Sequence, residues 1–313
     1  MKRIVVLGGG VGGSGVVRAL LKLPDIHVTC LVNTTDNGGH SGEIRRLLGI
    51  IPVGDLRRVI CIMLPPSVRS QYEFRNEEGV VGNKILAEMI STKGVVEGIL
   101  AFISTFPEFP IDRLNVWPIS ATPTDLCMTV GKKQYRGQLE VMFDRPKGSF
   151  GEFTLDPAVE LLAEAETAIS KAEVIIIAPS GIVGSVAPIL LTEKVRELIQ
   201  CKRLVWFAPL FSLPADGPNP WANYMRSIVS LAKTPDLIVA NSTPLPEKVR
   251  KLYQERGFYL IKPEENTSNL QTSALLEEIP GEPPGVVASP FPRYFIHVQH
   301  DVDRLRTFLS SIL

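Results

Sequence analysis

The sequence has no surplus of charge: 33 basic and 33 acidic side chains cancel over 313 residues. Without net positive charge or a basic run, nothing in the composition invites a nucleic-acid backbone. Cysteine is sparse. Cys30, Cys61, Cys127 and Cys201 stand singly in apolar stretches. They show neither C-x-x-C nor zinc spacing, so buried free thiols in a reducing cytoplasm are expected. Met-Lys-Arg runs straight into a strand, which does not read as a signal peptide. The uncharged stretch 174–192 is almost long enough to span a bilayer, but Pro179, Gly181, Gly184 and Pro188 break it. It reads as soluble core, and no membrane partner is expected. With four histidines and no G-x-S-x-G, a hydrolytic triad is missing too. His297 and His300 lack metal spacing, and there is no repeat or low-complexity tract.

What is present is a globular, enzyme-like composition: 45% apolar residues, 25 glycines and 25 prolines. Short Val/Ile-rich runs at 2–7, 27–32, 174–177, 204–207 and 237–240 alternate with helical periodicity. Runs without polar alternation fit parallel strands covered on both faces. The fold class expected is α/β, a doubly wound, mostly parallel, Rossmann-like sheet. A small antiparallel insertion is expected in the middle, from Leu126, Met128 and Val130 with Leu139, Val141 and Phe143. One domain, 1–313, divides into a glycine-loop half at 1–110, a β-rich insertion and linker at 111–155, and a second α/β half at 156–313. Asp156-Pro157 reads as the start of a helix running to about residue 172, and Asp55 as a cap. The final helix starts near Asp301, with Leu305, Phe308, Leu309 and Ile312 on one face. Residues 264–292 read as a long surface connection.

The strongest local signal is Gly8-Gly9-Gly10-Val11-Gly12-Gly13-Ser14, between a strand and a helix. In that context glycines let phosphate oxygens approach main-chain N–H groups at a helix N-terminus. A purely structural turn is the bland reading. The acid that would hold a ribose at the end of the second strand is missing, as is a P-loop lysine, so neither NAD nor ATP is indicated. A second loop, Asn33 to Gly42, follows the next strand and belongs at the same sheet edge. There Asp36 is a candidate Mg²⁺ ligand, and Asn37 a candidate for the cation or a ribose. Gly38, Gly39 and Ser41 offer amides to an anion, although an Asx turn alone explains the pattern. His40 reads equally as a surface histidine. Asp55 is a candidate to join Asp36 around a cation, Arg57 and Arg58 to counter phosphate charge, Asn83 for a base or sugar, and Ser180 for an anion.

The ordered set GGGVGGSGVVRALLKL, VNTTDNGGHSGEIRRLLGIIPVGDLRR, QYEFR, GNKILAEM, APSGIVGSVAPIL and HDVDRL resembles the CofD/YvcK family across most of the chain. The resemblance implies a cytoplasmic Rossmann-like protein that binds a nucleotide or nucleotide sugar through Gly9, Gly10, Val11, Gly12 and Gly13. Asn37, Gly38, Gly39, Ser41, Asn83 and Ser180 would complete that site. The GGHSGEIRRLLGI…PVGDLRR segment looks like the YvcK branch, the gluconeogenesis factors, which implies a regulatory role in carbon and cell-wall precursor supply. The other branch implies a transferase. It would move a phosphorylated hydroxy acid from a guanylylated donor to a deazaflavin with loss of GMP, with Asp36 and Asp55 catalytic and Mg²⁺ on Asp36. A homo-oligomer is compatible with either branch. The chain departs from the pattern at Val11 (usually Thr), Asn37 (usually Asp) and residues 208–214, where an asparagine followed by T-Q-P-G-E-T is usual. These departures keep a third option open, a fold that has lost its ligand.

Overall fold

The continuous apolar runs become strands buried on both sides. In Val174–Ile177 all four residues are buried, although neighbours along a strand point to opposite faces, so both faces are covered. Each such side chain contributes about 1.5–3 kcal/mol by leaving water. The computed structural model describes residues 1–218, 220–264, 267–280 and 296–313. Its seven-stranded sheet runs in the order Leu270–Ser273, Leu237–Asn241, Arg203–Phe207, Val174–Ile177, β1 (Lys2–Leu7), β2 (Ile26–Val32) and Leu114–Pro118. Every neighbouring pair is parallel. From β1 the chain winds outward through β2, then crosses back to Val174–Ile177 and winds the other way. The order reverses between β1 and Val174–Ile177, the switch point at whose carboxyl-edge crevice doubly wound sheets bind ligands. The doubly wound fold expected from the apolar runs is the one observed.

The antiparallel insertion is present as a three-stranded sheet, Lys133–Arg136, Asp125–Val130 and Glu152–Asp156. Leu126 and Met128 are fully buried in a small core of their own. Its other expected strand is a helix, Gln138–Phe143. The alternation Leu139, Val141, Phe143 misleads there, because only Val141 is buried while Leu139 and Phe143 are exposed. Trp117, expected in the insertion, lies in the central sheet. Asp156 ends a strand, and the following helix begins at Ala163, so Asp156-Pro157 is not its start. Asp301 does cap the final helix, accepting from the N–H groups of Asp303 and Arg304 at 2.8 and 2.9 Å. Leu305, Phe308 and Leu309 are its buried stripe. Within the expected surface connection, Leu270–Ser273 is an edge strand of the central sheet. Its residues 265–266 and 281–292 lie outside the described residues, as does the side chain of His297.

Cys30, Cys61 and Cys127 are buried as expected, whereas Cys201 is exposed. Among the described residues no helix is long and apolar enough to cross a membrane. The uncharged stretch divides into the strand Val174–Ile177, a π-helical turn Ile182–Val186 and the short helix Ala187–Leu190.

Candidate functional site

Three helices start at the crevice without a side-chain cap. Helix α1 (Gly10–Leu21) has Gly9 as its N-cap, α2 (Gly39–Leu48) has Gly38, and α3 (Gly54–Cys61) has Val53. The first-turn N–H groups of a helix have no partner inside it, and their partial positive charge favours an anion. Gly10, Val11, Gly38, Ser41, Gly54 and Asp55 all line one cleft of about 590 Å³. The expected convergence of two glycine loops is therefore present, and α3 adds a third N-terminus.

The first loop is tight for steric reasons. Gly8 and Gly10 have φ of +113° and +70°, values that glycine alone adopts freely. A Cβ on Gly13 would lie 2.0 Å from the Gly8 carbonyl oxygen, and one on Gly9 would lie 2.9 Å from Asp55 Cβ. Asp55 therefore packs directly against the loop. It does not cap α3; its carboxylate pairs with Arg58 at 3.0 Å. Ser180 reaches the loop too, but its hydroxyl donates to the Gly9 carbonyl at 3.3 Å. It braces the turn rather than facing the cleft.

The second loop is held from both sides. Asp36 accepts from the Gly38 N–H at 2.9 Å, the Asx turn that the sequence allowed. Ser41 accepts from the Gly54 N–H at 3.0 Å and so ties α2 to α3. Asn37 turns away, accepting from the Leu139 N–H at 3.0 Å. Thr35 meets Gln138 at 2.9 Å, and Arg45 meets Asp125 at 2.6 Å. The insertion thus clamps this loop, and Gln138 and Met142 become lining residues of the cleft. Sequence reasoning missed both, since no local signal in a six-residue helix marks them.

Burial, then the nearby Asp55 charge, pushes the Asp36 pKa up to about 6. No group of three or more His, Cys, Asp or Glu side chains suited to a metal occurs among the described residues. Asn83 is buried and accepts from Arg57 Nε at 3.0 Å. Arg57 also faces Glu73 at 3.7 Å.

Beyond Val11 and Arg58 the cleft continues into an apolar lobe of about 340 Å³. Pro209, Leu210, Phe211 and Leu213 line it with Tyr253, whose ring stacks on Phe211 at 4.1 Å. The segment that departs from the expected T-Q-P-G-E-T pattern is thus one wall of this lobe. His300 also lines it, and burial lowers its pKa to about 4, which keeps the ring neutral.

Comparisons with known proteins agree with this architecture. A family model described as 2-phospho-L-lactate transferase CofD matches residues 4–279. The gluconeogenesis factor of Bacillus subtilis is 26% identical over 273 residues, 80% of this chain and 82% of that protein. The gluconeogenesis factor of Halalkalibacterium halodurans is 31% identical over 222 residues, 64% of this chain and 63% of its own length. A crystal structure of a Bacillus halodurans protein superposes with a TM-score of 0.80 at 25% identity, covering 89% of this chain and 94% of that one. A second, titled as a member of the UPF0052 family, reaches a TM-score of 0.85 at 23% identity, covering 99% and 100%.

Proposed function

The chain belongs to the CofD family and is of gluconeogenesis-factor type, and from that premise we propose that it binds a nucleotide or nucleotide sugar. The observation that carries this reading is the opening of three helix N-termini on one cleft, those of α1 and α2 without a side-chain cap and that of α3 with its Gly54 N–H on Ser41. The diphosphate lies over Gly9–Gly13, with the amides of Gly39 and Ser41 opposite it; the Gly38 N–H, a candidate from the sequence, is held by Asp36 instead. Val11 offers its backbone N–H here, so the missing threonine hydroxyl removes one contact and leaves the helix terminus intact. The role is regulatory, in central carbon and cell-wall precursor metabolism; the relatives' name, gluconeogenesis factor, supports the link to carbon metabolism. Calorimetry with UDP-glucose, GDP and NADP tests it: micromolar binding of at least one is expected, and binding of none overturns the reading.

A second reading, transfer of a phosphorus-containing group, is favoured by the Asp36–Asp55 pair, which simple binding does not require. The family implies Mg²⁺, and the donor chemistry fits it: two neighbouring carboxylates plus ligand phosphates form an all-oxygen set. Asn37, turned toward Leu139, contributes nothing there. When bound by Asp36 and Asp55, the cation would neutralise phosphate charge. The chain's own part is to hold donor and acceptor in line on the glycine loop. The sign of the pH dependence follows from Asp36. Its raised pKa leaves the carboxylate ionised above about pH 6 and protonated below. Metal-dependent GMP release from a guanylylated hydroxy acid is therefore expected to fall as pH drops through 6, and to vanish in Asp36→Ala. Nucleotide binding without turnover would return the case to the first reading.

A further inference from the structure

One end of the polar cleft carries hydrogen-bond donors with no acceptor to meet. His40 is only 7% exposed, and its Nδ1 accepts from the Val80 N–H at 3.0 Å. That bond fixes the tautomer, so the neutral ring carries its proton on Nε2. The ring is seated against Gly79, where a Cβ would come within 2.3 Å of Nε2. Nε2 has no hydrogen-bond partner among the described residues. Asn83 is 3% exposed. Because its Oδ1 is occupied by Arg57 Nε, its amide N–H₂ is the group left over. Arg75 lines the same cleft and forms no ion pair among the described residues. Glu73, an acid in the same lining, is already engaged by Arg57 at 3.7 Å and Arg69 at 3.5 Å, while Glu43 acts on His40 from outside that lining. Two donors on nearly buried side chains and one exposed guanidinium thus line the same cleft, a set that fits an oxyanion, which accepts from neutral and charged donors alike.

We propose that His40, Asn83 and Arg75 form a specificity subsite for a second anionic group, a carboxylate or phosphate, on the ligand whose diphosphate lies on the glycine loop. The subsite rests on the nucleotide-sugar reading above and refines it: the sugar carries its own negative charge. Burial, with Arg75 next in effect, lowers the His40 pKa, so the ring acts as a neutral donor and Arg75 supplies the charge. The two together explain why a histidine is placed where a polar loop residue would otherwise suffice.

UDP-glucose and UDP-glucuronate differ by one carboxylate and test the proposal by calorimetry. Wild-type protein is expected to bind the glucuronate about tenfold more tightly, the worth of one charge-assisted hydrogen bond. The ratio is expected to fall to near one in Arg75→Ala and His40→Ala. Arg75 is exposed on a two-residue strand, so its variant decides the matter if the packed His40→Ala does not fold. A phosphate ligand is read separately, by titrating inorganic phosphate and following the His40 ring signals by NMR. Shifts in wild type that disappear in Arg75→Ala, with equal affinity for the two sugars, assign the subsite to phosphate. Equal affinities with unmoved ring signals overturn the proposal, as does a preference that survives both substitutions. If neither sugar nucleotide binds, the nucleotide-sugar reading fails, while the phosphate titration still decides the subsite.

Discussion

Asp216→Ala is expected to destabilise the protein by about 3–5 kcal/mol, the usual cost of removing one partner of a buried ion pair. The side chains of Asp216 and Arg145 are both fully buried and bonded to each other. Arg145 also donates to the Val141 carbonyl at 2.7 Å and to the Ser149 carbonyl, and lies 4.6 Å above the Phe150 ring. Asp216 takes the Tyr224 hydroxyl and the Leu213 N–H, the latter at 3.1 Å. The alanine variant leaves a buried guanidinium with carbonyls but no counter-charge. In a chain of this size the melting temperature should fall by roughly 10 °C. Tyr224→Phe, which removes one hydroxyl and no charge, should cost only about 1 kcal/mol. Differential scanning calorimetry on the three proteins checks the order, and equal losses would contradict it. The position of the pair gives the variant a second consequence. Arg145 follows the helix Gln138–Phe143, which clamps the Asp36 loop, while Asp216 closes the segment that walls the apolar lobe. Breaking the pair uncouples the two walls of the cleft, so ligand affinity should fall along with stability.

Gly12→Ala is the second large effect, and it should appear mainly in binding. A Cβ at Gly12 would lie 2.3 Å from the Pro179 carbonyl oxygen, a separation that real contacts do not reach. The obstacle is backbone, so either α1 or the loop after Val174–Ile177 has to move at the crevice. Overpacking of this kind costs typically 1–3 kcal/mol. It displaces the N–H groups on which the phosphate rests, and affinity is expected to drop by at least about a hundredfold, since both charge-assisted bonds and helix-terminus alignment are lost. Gly15→Ala is the matched control, three residues along the same helix. Its Cβ would meet Leu305 Cδ1 at 3.8 Å, an ordinary contact. That variant should retain binding and gain about 1 kcal/mol from helix propensity. Calorimetric titration of both variants with the nucleotide that wild type binds separates a steric cause from a general intolerance of glycine replacement.

The sequence by itself determined the frame. Apolar runs such as Lys2–Leu7 and Val174–Ile177 announce strands because only burial on both faces tolerates them. A glycine run between strand and helix announces a turn where backbone approaches backbone. Parallel winding then puts successive loops at one edge, so the neighbourhood of Gly10, Asp36 and Asp55 was legible before any coordinates. Local pattern failed where the partner is distant. The six residues 138–143 alternate like a strand and form a helix, because a segment that short carries too little periodicity to separate the two. Asp55 resembles a cap and instead answers Arg58 and the Gly9 backbone.

Tertiary structure alone decided what the cleft offers a ligand. Asn37 is turned away by an N–H from residue 139, Ser180 is consumed in bracing Gly9, and the His40 tautomer is set by Val80. Each is a hydrogen bond between residues 40 to 171 positions apart in the chain. A polar side chain's role depends on which of its atoms remain unpaired after folding. Pairing across such separations is fixed by packing, which local spacing does not encode.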